Sequence, residues 1–188
     1  MSVATRPIGE PASLDDVEVR AADALTAEAR VAAAWRALAS VEDPEIPALS
    51  LVDLGIVRFV KTQPDGALQV GLSPTYTGCP ATEVIRQLVE RALVEAGLGR
   101  FAVSRVLSPA WSSDWITPEG RRKLAAYGIV PPPDAVSARR LLQEVRPIAC
   151  PRCNSVDTEC ISQFGSTPCK ALHRCRECLE PFECFKCI

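Results

Sequence analysis

Thr75-Tyr76-Thr77-Gly78-Cys79-Pro80-Ala81 closes a strand-like run and opens a helical one. Gly78 lets the backbone turn tightly just before the cysteine. Pro80 suits a first helical turn, where its missing N–H costs nothing. A thiol at such a point meets unpaired backbone N–H groups and the positive end of a helix dipole. Both favour the thiolate, which is the form that attacks electrophiles or binds metal. The competing reading is plainer: free cysteine is often a small buried apolar residue. Cys79 is thus the candidate reactive thiol, with Thr77 and Gly78 as its supporting loop.

The fold follows outward from this loop. Upstream, residues 56–61 and 67–72 are rich in β-branched and apolar side chains and flank Pro64-Asp65-Gly66, so they read as a β-hairpin. Downstream, Val84, Ile85, Leu88, Ala92 and Leu93 recur at three- and four-residue intervals and predict one apolar face of a helix over 81–96. Gly97 and Gly99 end it. Residues 101–107 alternate and give a third strand. The fold class expected is α+β, a small three-stranded sheet with packed helices, followed by a C-terminal zinc ribbon. In such layouts ligand chemistry gathers where strand ends meet helix starts, and Cys79 occupies that place.

Before the hairpin, Val31, Ala34, Trp35 and Leu38 form one helical stripe. Residues 41–47 must be a loop, because Pro44 and Pro47 lie within it. Asp43 and Glu45 flank Pro44 there. Two carboxylates so close can bind a cation or shift each other's pKa, although such residues more often cap a turn or face water. Asp53-Leu54-Gly55 reads as a turn into the first strand. After the third strand, Trp111 and Trp115 either anchor a partner or close the core, and core closure is the commoner role of large aromatics. Thr117, Pro118 and Glu119 predict a helix start with N-cap, first-position proline and favourable acid. Pro131-Pro132-Pro133 predicts a stiff spacer. The expected division is a leader over 1–24, a first domain over 25–133, a linker over 134–146 with a short helix, and a ribbon over 147–188.

Composition narrows the function classes. The 188 residues carry 47% hydrophobic and 23% charged side chains and a net charge of −2. These are values of an ordinary globular chain and give no electrostatic reason to expect nucleic acid or an anionic membrane as partner. No apolar run approaches the roughly 20 residues of a membrane helix. The N-terminus lacks a secretory pattern, so nine cysteines imply a reducing, cytoplasmic setting in which they hold metal or do chemistry.

Eight of the nine cysteines lie between Cys150 and Cys187. Cys150-x2-Cys153 is followed, 21 residues later, by Cys175-x2-Cys178. Each pair is a knuckle presenting two sulfurs, and two knuckles joined by a hairpin complete a tetrahedral four-sulfur site. Zinc is the default ion, with iron as the alternative for the same donors. Roughly 40 residues with few large apolar side chains hardly fold without such a staple. Cys184-x2-Cys187 reads as a third knuckle, and Cys160 and Cys169 are extra. Cys169 and Cys187 are candidate additional ligands, and His173 reads as structural. Five Lys or Arg (Arg152, Lys170, Arg174, Arg176, Lys186) balance five Asp or Glu (Asp157, Glu159, Glu177, Glu180, Glu183) over 147–188. A ribbon of zero net charge suits protein contact better than phosphate, with Phe182 and Phe185 as its contact surface or its small core.

Two parts of the chain resemble a known family. Asp43-Pro44-Glu45, Asp53-Leu54-Gly55 and Thr77-Gly78-Cys79-Pro80 resemble the SufT-like (MIP-family) iron–sulfur assembly domain. The segments 163–167, Cys169-Lys170-Ala171-Leu172 and 180–187 behind it are similar to the PaaD (PaaJ) family of the phenylacetyl-CoA epoxidase system. Cys184 departs from that family's pattern and so weakens the third knuckle as a ligand pair. The resemblance implies a non-enzymatic accessory protein of phenylacetate degradation, assisting iron or iron–sulfur cluster insertion into the epoxidase. Its implied partners are the oxygenase and reductase subunits. Cys79 would be the metal-transferring thiol, with Asp43 and Glu45 positioning metal or partner, and zinc would be structural in the ribbon. The alternative implied is a structural subunit bridging the oxygenase components. A thiol redox protein ranks third, because the Cys-x2-Cys pairs lie in a ribbon and Cys79 has no resolving cysteine nearby in sequence.

Overall fold

The computed structural model describes residues 26–133 and 148–187. The expected leader and the linker helix lie outside them. Helix α1 (Ala27–Ala39) starts at Thr26, whose hydroxyl accepts from the Ala29 N–H. It buries Arg30, Ala34 and Leu38, successive i,i+4 positions of one face. The Arg30 guanidinium donates to the Gly66 and Leu98 carbonyls at 2.6 and 2.7 Å. It thereby ties the hairpin turn and the end of the next helix to α1.

Strands β1 (Val57–Thr62) and β2 (Leu68–Leu72) form the expected antiparallel hairpin. Helix α2 (Thr82–Glu95) crosses over to β3 (Phe101–Arg105), which lies parallel to β2. The three-stranded sheet therefore runs β1-β2-β3 with β2 in the centre. Helix α1 packs on β1 and α2, and α2 packs on β3. The core contains Leu38, Leu49, Leu51, Leu68, Val70, Val89 and Leu93. Each such side chain contributes about 1.5–3 kcal/mol on full burial. On α2 the buried face is Ile85, Val89 and Leu93, while Val84 is exposed. The expected stripe was turned by one residue at its start: Val84 lies one position off the i,i+4 row that meets the sheet.

Trp111 is buried and donates its indole N–H to the Leu54 carbonyl at 3.0 Å. Trp115 is half-buried beneath the Arg58 guanidinium. Both tryptophans therefore close the core rather than stand free. Helix α3 (Pro118–Ala126) has the expected start, with the Thr117 hydroxyl accepting from the Gly120 N–H. Gly55 has φ +65°, and a Cβ there would lie 2.5 Å from the Trp115 carbonyl oxygen. Only glycine permits this turn and this contact together.

The ribbon half contains β5 (Thr158–Ser162), β6 (Lys170–Cys175) and β7 (Pro181–Phe185), with β6 antiparallel to both neighbours. A two-residue strand β4 (Ile129–Val130) precedes the prolines and adds to β7 in parallel, giving the order β4-β7-β6-β5. The ribbon thus takes its edge strand from the first half of the chain. Phe185 and Cys169 belong to the core of the first half, and the Phe185 and Trp111 rings lie 5.9 Å apart. Among the described residues, no helix is long and apolar enough to cross a membrane.

Candidate thiol and metal sites

The Sγ atoms of Cys150, Cys153, Cys175 and Cys178 all lie within 4.8 Å of one another. Two of the contacts, Cys150–Cys178 and Cys153–Cys175, are 3.6 Å. A tetrahedron with metal–sulfur bonds of about 2.3 Å has edges of about 3.8 Å, so the four sulfurs fit zinc. Backbone N–H groups point into the site: Arg152 donates to Cys150 Sγ at 3.4 Å and Cys178 to Cys175 Sγ at 3.5 Å. With the Cys178 N–H as the leading cause, the Cys175 thiol is pulled down to about 7. Against the lowering pull of the Ser155 N–H, burial and the neighbouring sulfurs push Cys153 up to about 12, and Cys178 is raised as well, so binding a dication must release the protons they hold.

Neither Cys169 nor Cys187 joins this group. Cys169 is buried against the other half of the molecule, with Sγ 3.0 Å from the Thr167 hydroxyl. Cys187 is exposed and lies in the field of Arg121 and Asp114. Cys184 is likewise outside the four-cysteine group. Cys184 sits inside β7, paired opposite Ala171, and burial pushes its thiol up to about 12. Cys187 lies beyond the end of β7, and both cysteines line one cavity with Val130, Pro131 and His173. His173 stacks on Phe182 at 5.8 Å, and burial lowers its pKa, as fits a structural residue. Phe182 and Phe185 are both buried and belong to two different cores. Phe164, Leu179, Val156 and Ile161 are the exposed large apolar residues of this half.

Cys79 is half-buried at the turn between β2 and α2, with Thr77, Gly78 and Pro80 exposed around it. Its N–H donates to the Tyr76 carbonyl at 3.1 Å, and its carbonyl accepts from the Thr82 N–H and hydroxyl at 3.2 and 2.8 Å. Tyr76 lies over Gly78. The loop from Asp43 comes to the same place. Asp43 is buried, and its Oδ1 accepts the Glu45 and Ile46 N–H groups at 2.9 and 2.8 Å, fixing the turn around Pro44.

The expected thiolate is not what this setting favours. Burial raises the Cys79 pKa, and the charges of Glu45 and Asp43 raise it further. The Ala81 N–H and Thr82 hydroxyl act in the expected direction but are outweighed. Helix α2 begins only at Thr82, so the thiol stands outside the first turn. Burial also raises Asp43 despite its two N–H partners, and it raises Glu45 together with the Asp43 charge. Labelling of Cys79 by iodoacetamide is therefore expected to be slow at neutral pH, with a midpoint above the ordinary thiol value of about 8.5. Glu45→Gln removes a negative neighbour, so the midpoint should move down; an unmoved midpoint would show that the Glu45 charge does not reach the sulfur.

Sequence reading missed Lys170 and Glu183. Lys170 is buried and pairs with Glu183 at 2.8 Å, and its charge also acts on Asp43, Glu45 and Cys169. A lysine inside a strand gives no sign of burial in sequence; only the abutting halves create it.

These two features define a class of protein, an iron–sulfur assembly domain joined to a four-cysteine ribbon. The model of the family "Iron-sulfur cluster assembly protein" matches residues 31–105, and that of the "PaaD zinc beta ribbon domain" matches 134–186. A protein of Escherichia coli (strain K12), provisionally named as a subunit of 1,2-phenylacetyl-CoA epoxidase, is 48% identical over 154 residues, covering 82% of this chain and 91% of its own. The chain belongs to the PaaD family. An Fe-S protein maturation auxiliary factor of Porphyromonas gingivalis (strain ATCC BAA-308 / W83) is 33% identical over 91 residues, 47% of this chain and 85% of that protein. A crystal structure of a domain of unknown function from Bacillus anthracis superposes with a TM-score of 0.48 at 25% identity, over 52% of this chain and 92% of that one.

Proposed function

We propose that this chain is a non-enzymatic accessory protein of phenylacetate degradation. Its role is to assist iron or iron–sulfur cluster insertion into the phenylacetyl-CoA epoxidase complex, whose oxygenase and reductase subunits are its partners. The observation that carries this reading is the half-buried Cys79 beside Asp43 and Glu45, in a domain of iron–sulfur assembly type. A thiol held neutral by burial and by two carboxylates is a poor standing nucleophile. It becomes a ligand when a cation arrives, because metal binding releases the proton and offsets both carboxylate charges. Such a site suits reversible holding better than permanent storage. Zinc in the ribbon is structural, and Phe164, Leu179, Val156 and Ile161 are exposed apolar side chains that a client protein can contact.

The second reading, a structural subunit that bridges oxygenase components, is favoured by those same exposed apolar side chains. One experiment separates the two. The epoxidase components are produced together with native chain or with Cys79→Ala, and iron and sulfide are measured per complex. A several-fold deficit with Cys79→Ala supports delivery. A fully metal-replete, active complex would refute it and leave the bridging role.

A further inference from the structure

A cavity of about 210 Å³ lies beside the Cys79 loop, away from the four-sulfur group. Residues 73–77 line one side of it, and Val106, Leu107 and the buried Trp111 stand on the other. Ser73 and Thr75 are 1% and 7% exposed, yet neither hydroxyl has a hydrogen bond among the described residues. The fully enclosed polar atoms without a partner are Arg30 Nε and Thr62 Oγ1. The Ser73 and Thr75 hydroxyls are not among them, so each opens onto the cavity. Trp111 gives its indole N–H to the Leu54 carbonyl, which leaves its ring as an apolar wall. Among the described residues no charged side chain lines this space.

We propose that the cavity binds a small uncharged ring compound with a hydroxyl head, of the phenol class. Each feature narrows the class. The volume exceeds the roughly 150 Å³ in which an engineered apolar cavity holds benzene, so a single aromatic ring with a substituent fits. The Trp111 side of the cavity receives the ring. Ser73 and Thr75 hydroxyls both donate and accept, which matches a head that does the same. A carboxylate or ammonium head would be buried without a counter-charge. A wholly apolar ligand would leave both hydroxyls unpaired. The site stands whether or not the chain delivers metal, but it shares the thiol's loop. Tyr76 belongs to the lining, and its carbonyl accepts the Cys79 N–H at 3.1 Å. An occupant held against Tyr76 therefore steadies the turn that presents Cys79.

The test uses the reduced, zinc-loaded full chain, with phenol itself as the probe. Calorimetry should find one saturable site, and the Trp111 indole N–H resonance should shift in step with it. Toluene lacks the hydroxyl and benzoate carries a charge, so each should bind about tenfold more weakly or worse. Ser73→Ala removes a hydroxyl that bonds nothing among the described residues. Thermal stability should hold in that variant while phenol affinity falls about threefold to tenfold. Ala110 is an exposed residue of the lining, and Ala110→Trp should fill the cavity, abolish binding and leave the far-ultraviolet spectrum unchanged. Saturating phenol should slow iodoacetamide labelling of Cys79 several-fold. Absence of saturable binding, toluene bound as tightly as phenol, or binding undiminished in Ala110→Trp overturns the site. An unchanged labelling rate overturns its link to the Cys79 loop. The comparison of phenol with toluene on the native chain decides even if a variant does not fold.

Discussion

Cys175→Ser is expected to abolish stoichiometric zinc and to unfold residues 148–187 as a unit. The apolar cluster of this half has only four buried members, Cys150, Cys175, Phe182 and Cys184, and two of these belong to the four-cysteine group that can hold a metal. So small a core cannot order three strands against their conformational entropy. The binding free energy of a structural zinc, about 10–16 kcal/mol in small zinc-dependent folds, is then folding free energy. Cys175 is a sensitive ligand to lose, because its sulfur also accepts the Cys178 N–H and is the thiol held lowest in the set. Zinc content and hydrogen exchange over β5 to β7 check this. Persistent exchange protection in a zinc-free variant would show that the metal is dispensable. A strong chelator acting on the native chain should reproduce the variant's behaviour.

Phe185→Ala should have the second largest effect, and of a different kind. Phe185 leaves the end of β7 and enters the core of the other half, 4% exposed, with its ring tilted 45° to Trp111. Truncating a buried phenylalanine costs about 3–5 kcal/mol, of which the aromatic pair supplies about 0.5–1.5 kcal/mol. The four zinc ligands are untouched, so zinc should be retained. What is lost is the coupling between the halves. All three tryptophans lie outside the ribbon, so their fluorescence reports the first half while zinc release reports the second. The two signals should coincide during urea unfolding of the native chain and separate in Phe185→Ala. Coincident signals in the variant would mean that β4 and the backbone contacts suffice for coupling. Phe164→Ala is the control. Phe164 is 65% exposed, with the Lys186 ammonium over its ring at 4.4 Å, so its loss should cost under about 1 kcal/mol.

The Phe185 expectation depends on one architectural fact, that the two halves share a core. The linker-and-spacer pattern of Pro131-Pro132-Pro133 suggests separation instead. Proline stiffness describes the chain locally and says nothing about what the chain's far end packs against. Ile129 and Val130, just before the prolines, are held by β7 through the register Ile129 with Glu183 and Val130 with Cys184. The Arg121 guanidinium donates to the Pro132 and Ser113 carbonyls and fixes the exit of this segment against α3.

Local patterning legible in the chain was reliable where one interaction dominates. The Pro64-Asp65-Gly66 turn, the Thr117 cap and the periodicity of α2 depend on neighbours within a few residues, so the residues themselves specify them. The same holds for Cys150, Cys153, Cys175 and Cys178, whose spacing alone builds two knuckles. The Cys79 loop shows where such reasoning stops. Its residue types speak for a thiolate at a helix start, but protonation depends on burial and on charges brought from the 41–47 loop. No pattern within the loop reports a carboxylate that is remote in sequence.

By itself, the sequence determined the three-stranded α+β sheet, the four-cysteine ribbon and the candidate thiol at the β2–α2 turn. Hydrophobic period, turn chemistry and metal-ligand spacing are short-range properties written in adjacent residues. Only the tertiary structure decided that Cys184 is a strand residue, that Cys169 faces the assembly domain, and that Lys170 is buried between carboxylates of both halves. Those outcomes follow from long-range packing, where burial sets the cost of a charge and the partner across the junction sets its sign.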